Sequence, residues 1–95
     1  MLEKEIEKQL VKEVQVLDGW CLKLTSPSVG GLPDRMILLP HGRVAFVEVK
    51  RPGQKPRPIQ VRRINQFREL GFKVFVLDDR NKIPDILKEV MVSEV

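Results

Sequence analysis

Apolar residues recur at steps of three and four near the start of the chain, at Ile6, Leu10, Val14 and Leu17. That spacing predicts a helix over Leu2–Leu17 with one buried stripe. Asp18 and Gly19 end it, and the period then changes. Trp20–Leu24 (WCLKL) reads as a short strand, and Thr25–Pro33 (TSPSVGGLP) as a loop rich in Gly, Pro and Ser. Met36–Leu39 and Val44–Lys50 read as two strands joined by a turn over Pro40–Arg43. Pro52 and Pro56 keep Arg51–Arg57 irregular. Pro58 opens a second helix that runs through Ile59, Arg62, Arg63 and Gln66 to Leu70, and Gly71 closes it. Lys73–Leu77 is a fourth strand, Asp78–Lys82 a connection, and Pro84–Val92 a last helix. The order α-β-β-β-α-β-α predicts one α/β domain over residues 1–95. Its hairpin is antiparallel, and its helical crossover brings the fourth strand in parallel. The result is a mixed sheet with helices against it.

The third strand, VAFVEVK, carries the first chemistry. Val44, Phe46, Glu48 and Lys50 alternate onto one face, and Ala45, Val47 and Val49 onto the other. A strand apolar on both faces is a buried strand. Glu48 and Lys50 therefore emerge at its end, about 7 Å apart along the backbone. The plainer reading is an ion pair at a strand end. Asp34, at the start of the preceding strand, shifts the balance. If Leu39 pairs near Val44, Asp34 falls opposite the Val49 region, at the same open end of the hairpin. Two close carboxylates repel unless they share a proton or a divalent cation. A lysine beside them can stabilise an oxyanion or position a water. That combination suits metal-assisted phosphodiester hydrolysis.

Composition narrows the metal. Cys21 and His41 are each alone, so a cysteine-rich zinc site or a paired-histidine centre is excluded within one chain. Carboxylate and carbonyl ligands suit Mg2+ or Mn2+. Net charge is +4, from 17 Lys and Arg against 13 Asp and Glu, which alone favours nucleic acid only weakly. Its distribution says more. Lys50, Arg51, Lys55, Arg57, Arg62 and Arg63 fall in one stretch with no acid between them, enough to neutralise several phosphates. The alternative is a solvated loop and helix face. Arg35 suits either a carboxylate or a phosphate partner, and Ser26 and Ser28 either phosphate or water. Gly30 and Gly31 suit a close approach to DNA or an unusual turn. Aromatic residues make up 5% of the chain and Tyr is absent. Trp20 and Phe46 are therefore expected in the core, and a surface for stacking single strands is not expected. No apolar run reaches membrane-spanning length, and MLEKEIEKQL has no signal-peptide core, so a cytoplasmic protein is expected.

The runs GLPDR, from Gly31, and GRVAFVEVKRPGQKPRPIQ, from Gly42 to Gln60, resemble the VRR-NUC (virus-type replication-repair nuclease) branch of the PD-(D/E)XK nuclease superfamily. The resemblance spans almost the whole chain. It implies a restriction-endonuclease-like mixed sheet, with Asp34 and Glu48 as metal ligands and Lys50 placing the attacking water. It implies the Val49 carbonyl as a further ligand and Gln60 reaching the site from its helix. It also implies a carboxylate from the first helix, Glu3 in preference to Glu7, while Glu5 points elsewhere. Stand-alone members resemble Holliday-junction resolvases of phage-like origin. The implied partners are branched DNA and a second copy of the chain, with neither membrane nor nucleotide cofactor. The apolar end VMVSEV favours such a dimer. A non-catalytic DNA-binding module is the alternative, although a phosphate-binding surface gains nothing from keeping carboxylates that repel DNA. An interaction protein with a structural Asp34–Glu48–Lys50 cluster is the third reading.

Overall fold

A computed structural model of the chain describes residues 1–92. The elements are α1 (Glu3–Val16), β1 (Trp20–Lys23), β2 (Arg35–Leu39), β3 (Arg43–Val49), α2 (Pro58–Glu69), β4 (Lys73–Leu77), a short 3-10 turn (Arg80–Lys82) and α3 (Ile83–Met91). The expected order holds, with the 3-10 turn added where an irregular connection was expected. Asp79 caps that turn by accepting from the Asn81 N–H at 2.9 Å.

The strands form one sheet in the order β1-β2-β3-β4. The first three are antiparallel, and β4 joins β3 in parallel after the α2 crossover. Strand alternation splits the core in two. Ile37, Leu39, Ala45, Val47, Val49 and Leu77 face α1 and α3, meeting Ile6, Leu10, Val14, Ile83, Ile86, Leu87 and Val90. Met36, Val44, Phe46, Val74 and Val76 face the other way, toward Ile64 and Phe67 of α2. The central strand β3 is covered on both sides, as its unbroken apolar run implied.

The hairpin register differs by one residue from the expected pairing. Leu39 pairs with Arg43, so both strands reach closer to the turn. His41 and Gly42 take left-handed backbone with φ of 70° and 71°, which makes that tighter reversal. Continuing the ladder from Arg35–Val47 sets Asp34 opposite Glu48 instead of Val49.

One other expectation changes, and the loop glycines and the chain end take defined places. Trp20 is 68% exposed and lies outside the core, whereas Phe46 is buried as expected. Gly30 has no neighbour that would crowd a Cβ, while Gly31 has φ of 76° and sits against Ile59 of α2. The close approach that Gly31 permits is therefore to the protein's own helix. Within VMVSEV, Val90 is a core residue, Met91 and Val92 are exposed, and residues 93–95 lie outside the described residues.

The end of α1 shows why Gly follows Asp and does not replace it. Gly19 N–H bonds to the Val14 carbonyl and Asp18 N–H to the Gln15 carbonyl, the two bonds of a Schellman stop. Asp18 takes the left-handed position, φ 61°. Gly19 is needed next because a Cβ there would sit 2.6 Å from the Leu38 backbone oxygen and 2.6 Å from Leu39 Cδ2. Backbone cannot yield as a flexible side chain can. Gly19→Ala is expected to destabilise by about 1–3 kcal/mol, the usual cost of overpacking. In a thermal melt that corresponds to a loss of roughly 4–8 °C per kcal/mol for a domain of this size.

Candidate active site

Four of the expected polar residues converge where β2 begins and β3 ends. Asp34 immediately precedes β2, and its backbone carbonyl accepts from the Leu24 N–H at 2.9 Å. Its side chain turns across the hairpin, where Oδ2 accepts from the Val49 N–H at 2.7 Å. Glu48 is the next-to-last residue of β3 and is only 1% exposed. Strand alternation puts it on the α2 side of the sheet, in line with Phe46. Lys50 continues the β3–β4 ladder past the strand end, with its N–H on the Leu77 carbonyl at 2.8 Å. Its Nζ lies 2.9 Å from Glu48 Oε2.

Gln60 supplies the fourth arm. Its Nε2 donates to Glu48 Oε2 at 2.9 Å, and its Oε1 accepts from the Arg57 N–H at 2.9 Å. The carboxylate only accepts and the backbone N–H only donates, so the amide orientation is fixed. One side chain thus caps the first turn of α2 and braces Glu48. The capping role goes beyond what was expected of Gln60, although the spacing carries its signal: Pro58 at the first helical position makes Gln60 the third, where a side chain reaches back to the cap.

These bonds leave an asymmetry. Glu48 Oε2 accepts from both Lys50 and Gln60, while Oε1 is buried with no hydrogen-bond partner. Burying a carboxylate oxygen unpaired is costly. Both acids register the strain. Burial pushes the Asp34 carboxyl above its ordinary range against the pull of the Val49 N–H, and the charge of Glu7 adds to the rise. Burial pushes Glu48 up as well, opposed by its bond from Lys50 and reinforced by Asp34 and Glu3. An orphaned carboxylate oxygen beside a second strained carboxylate is a donor set that fits a hard divalent cation.

The first helix contributes less directly. Glu3 and Glu7 are both half-buried on the face of α1 that carries Ile6 and Leu10, while Glu5 is exposed. Glu7 is engaged with Arg35 Nε at 2.7 Å. Glu3 has no ion pair among the described residues, and its charge is felt by Glu48. Among the described residues, no three acidic, His or Cys side chains already stand close enough to hold a metal. The close pair is Asp34 and Glu48, with Glu3 outside it.

The basic residues divide. Arg35 is spent inside the fold, on Glu7 and on the Cys21 carbonyl at 3.2 Å. Arg63 holds the 25–33 loop by donating to the Gly30 carbonyl at 2.8 Å, and it also reaches Gln66 at 2.9 Å. This clasp, spanning 33 residues, has no local sequence signal. Lys50 is bound to Glu48. Arg51, Lys55, Arg57 and Arg62 are exposed and without ion pairs among the described residues. The free cations therefore begin just after Lys50 and continue to the start of α2.

Burial raises the Asp34 carboxyl in the fold, so its ionised form costs stability above that raised value. The cost disappears below the unfolded carboxyl range, near pH 4. Asp34→Asn keeps the shape and an acceptor for Val49. In EDTA it is expected to melt a few degrees above the parent at pH 7, with the gain shrinking as pH falls toward 4. Thermal melts across that range check the sign. An Asn variant that melts lower at every pH would mean the carboxylate is not under strain.

Residues 2–81 match the VRR-NUC domain. A protein of Acyrthosiphon pisum secondary endosymbiont phage 1, named "Putative nuclease p44", is 46% identical over 79 residues, covering 83% of this chain and 85% of its own. A solved structure described as a VRR_NUC domain superposes with a TM-score of 0.86 at 32% identity, covering 90% of this chain and 94% of that one. The chain belongs to the VRR-NUC nuclease family.

Proposed function

We propose that the chain is a Mg2+- or Mn2+-dependent endonuclease that hydrolyses phosphodiester bonds in branched DNA, in the manner of a Holliday-junction resolvase. The observation that carries this reading is the Asp34–Glu48 pair, with one Glu48 oxygen buried and unpartnered beside Lys50. The carboxylates of Asp34 and Glu48, with the Val49 carbonyl, would hold the cation, and Glu3, whose charge is felt by Glu48, is the candidate to join them from α1. When bound, the cation supplies Lewis acidity, offsetting charge on the phosphate and easing loss of a proton from water.

The chain's own residues do the rest. The Val49 N–H aims the Asp34 carboxylate. Gln60 and Lys50 both occupy Glu48 Oε2, which leaves the buried Oε1 as the free donor. The Lys50 ammonium stands where it can orient an attacking water and stabilise negative charge on the phosphoryl oxygens. Arg51, Lys55, Arg57 and Arg62 would lie along the DNA backbone, reading charge and shape instead of base edges. Arg35 and Arg63 are assigned structural parts, since each already has partners within the fold. A two-fold pair of chains would match the two-fold symmetry of a four-way junction.

The test is cleavage of a labelled four-way junction and its matched linear duplex in Mg2+, Mn2+ or EDTA. Asp34→Asn and Lys50→Ala run alongside. The expected result is metal-dependent cutting of the junction, reduced by at least about a hundredfold in each variant, the scale of losing one transition-state contact. Equal cutting of both DNAs would remove the junction preference and keep the site. Binding without cutting in any metal would overturn the catalytic reading.

A further inference from the structure

The sheet face that carries Glu48 also carries an apolar strip that α2 covers only in part: Met36 and Val44 pack toward α2, while Trp20 and Leu22 at the β1 edge are uncovered among the described residues. Cross-strand partners point to the same side, so this face is built in rows. The outer row is Trp20, Leu38 and Val44, and the middle row is Leu22, Met36 and Phe46. The next row holds Leu24, Asp34 and Glu48, with Leu24 bonded to the Asp34 carbonyl. α2 lies over Phe46 and Val74, on the β3–β4 half. The β1–β2 half is left open: Trp20 is 68% exposed and Leu22 40%. Cys21, one residue along, faces the opposite side and packs on the α1–α3 core.

We infer that Trp20 is a stacking platform for an unpaired base of the DNA substrate, on the strip leading away from the catalytic corner. The inference rests on the reading that the substrate is DNA. Three features support a base over other occupants. The strip lies on the same face as Asp34 and Glu48 and is continuous with their row. Its side chains, Trp20, Leu22, Met36, Leu38 and Val44, include no acid that would repel a strand. Trp20 stands about 13 Å along β1 from the Leu24 row, within reach of a base a few nucleotides from the cut on an unpaired strand. A strand that splays from the duplex next to the cut would bring a base to this point. Base–aromatic stacking is tolerant of sequence, which suits a protein that reads branch shape. A base pressed on the indole would also cover the exposed apolar surface that the fold leaves in water.

Trp20 is the sole tryptophan of the chain, so its emission reports this contact directly. The probes are a labelled duplex carrying an unpaired thymine arm and the same duplex without the arm, with Ca2+ in place of Mg2+. The armed DNA is expected to quench Trp20 emission and the plain duplex to leave it unchanged. By anisotropy, Trp20→Ala should weaken binding of the armed DNA by about 5- to 150-fold, the range for losing one stacked base, and leave plain duplex binding unchanged. Trp20→Phe should restore part of the loss. The side chain is exposed on a sheet edge, so circular dichroism and melting should match the parent. If both DNAs bind, yet emission is silent and Trp20→Ala binds equally well, the stacking role is overturned and the DNA reading stands. If neither DNA binds the parent protein, the DNA reading fails and takes this inference with it. A blue shift that grows with protein concentration in the absence of DNA would assign the strip to a second copy of the chain, and overturn the inference.

Discussion

The 2.7 Å bond from the Val49 N–H to Asp34 Oδ2 is the contact on which the candidate active site depends. A side-chain carboxylate here takes the place of a ladder bond where β2 has just begun. Backbone donors bind charged acceptors more strongly than neutral ones, so the bond fixes Asp34 against the end of β3. The register behind it is enforced by packing. Ala45, Val47 and Val49 are fully buried against α1 and α3. A slip of one residue would turn them outward and drive Glu48 into that apolar layer. The hydrophobic core therefore decides which face Glu48 takes, and through the Asp34 bond it decides that the two acids meet.

That meeting is unfavourable in the isolated protein, and the surrounding residues limit the cost. Lys50 and Gln60 share Glu48 Oε2. Arg35, next in sequence to Asp34, pairs with Glu7 and so limits the charge that α1 turns on the two acids. Gln60 ties the same corner to the first turn of α2, so helix capping and carboxylate orientation are one network. Such networks carry more than the sum of their pairs. What they leave unmet is Glu48 Oε1 and the raised carboxyls of both acids. The same burial that makes the pair costly without a cation would strengthen the binding of one.

Local pattern carried most of the fold. Ile6, Leu10 and Val14 at helical spacing, the alternating VAFVEVK strand, and Pro58 with Gly71 around α2 each have a short-range physical cause. The convergence of Asp34, Glu48, Lys50 and Gln60 was also legible, because one hairpin and one helix start bring them together. Three features were not. The register moved by one residue because His41 joins Gly42 in a left-handed backbone, and Gly42 alone signals a turn without fixing its length. Arg35 suits a carboxylate or a phosphate from sequence alone, and Arg63 reads as a phosphate-facing cation; the partners they take, Glu7 and the Gly30 carbonyl, lie 28 and 33 positions away. Trp20 looked like core because large aromatics favour burial. Its exposure follows from which half of the sheet α2 covers, a property of topology and not of the residue.

The topological point reaches further. A single crossover from β3 to β4 returns one helix to the face it left, and that helix covers the two strands it connects. With β1 and β2 added by hairpin on the far side, nothing in the described chain spans their outer half on that face. An open sheet edge invites unwanted pairing, and short strands with charges are the usual protection. β1 has both features in part, with four residues and Lys23 at its end. The exposed tryptophan works against that protection. Replacing it with a polar residue would lower the exposed apolar area without disturbing the buried core, so folding does not account for its presence there. The base-stacking role inferred for Trp20 would.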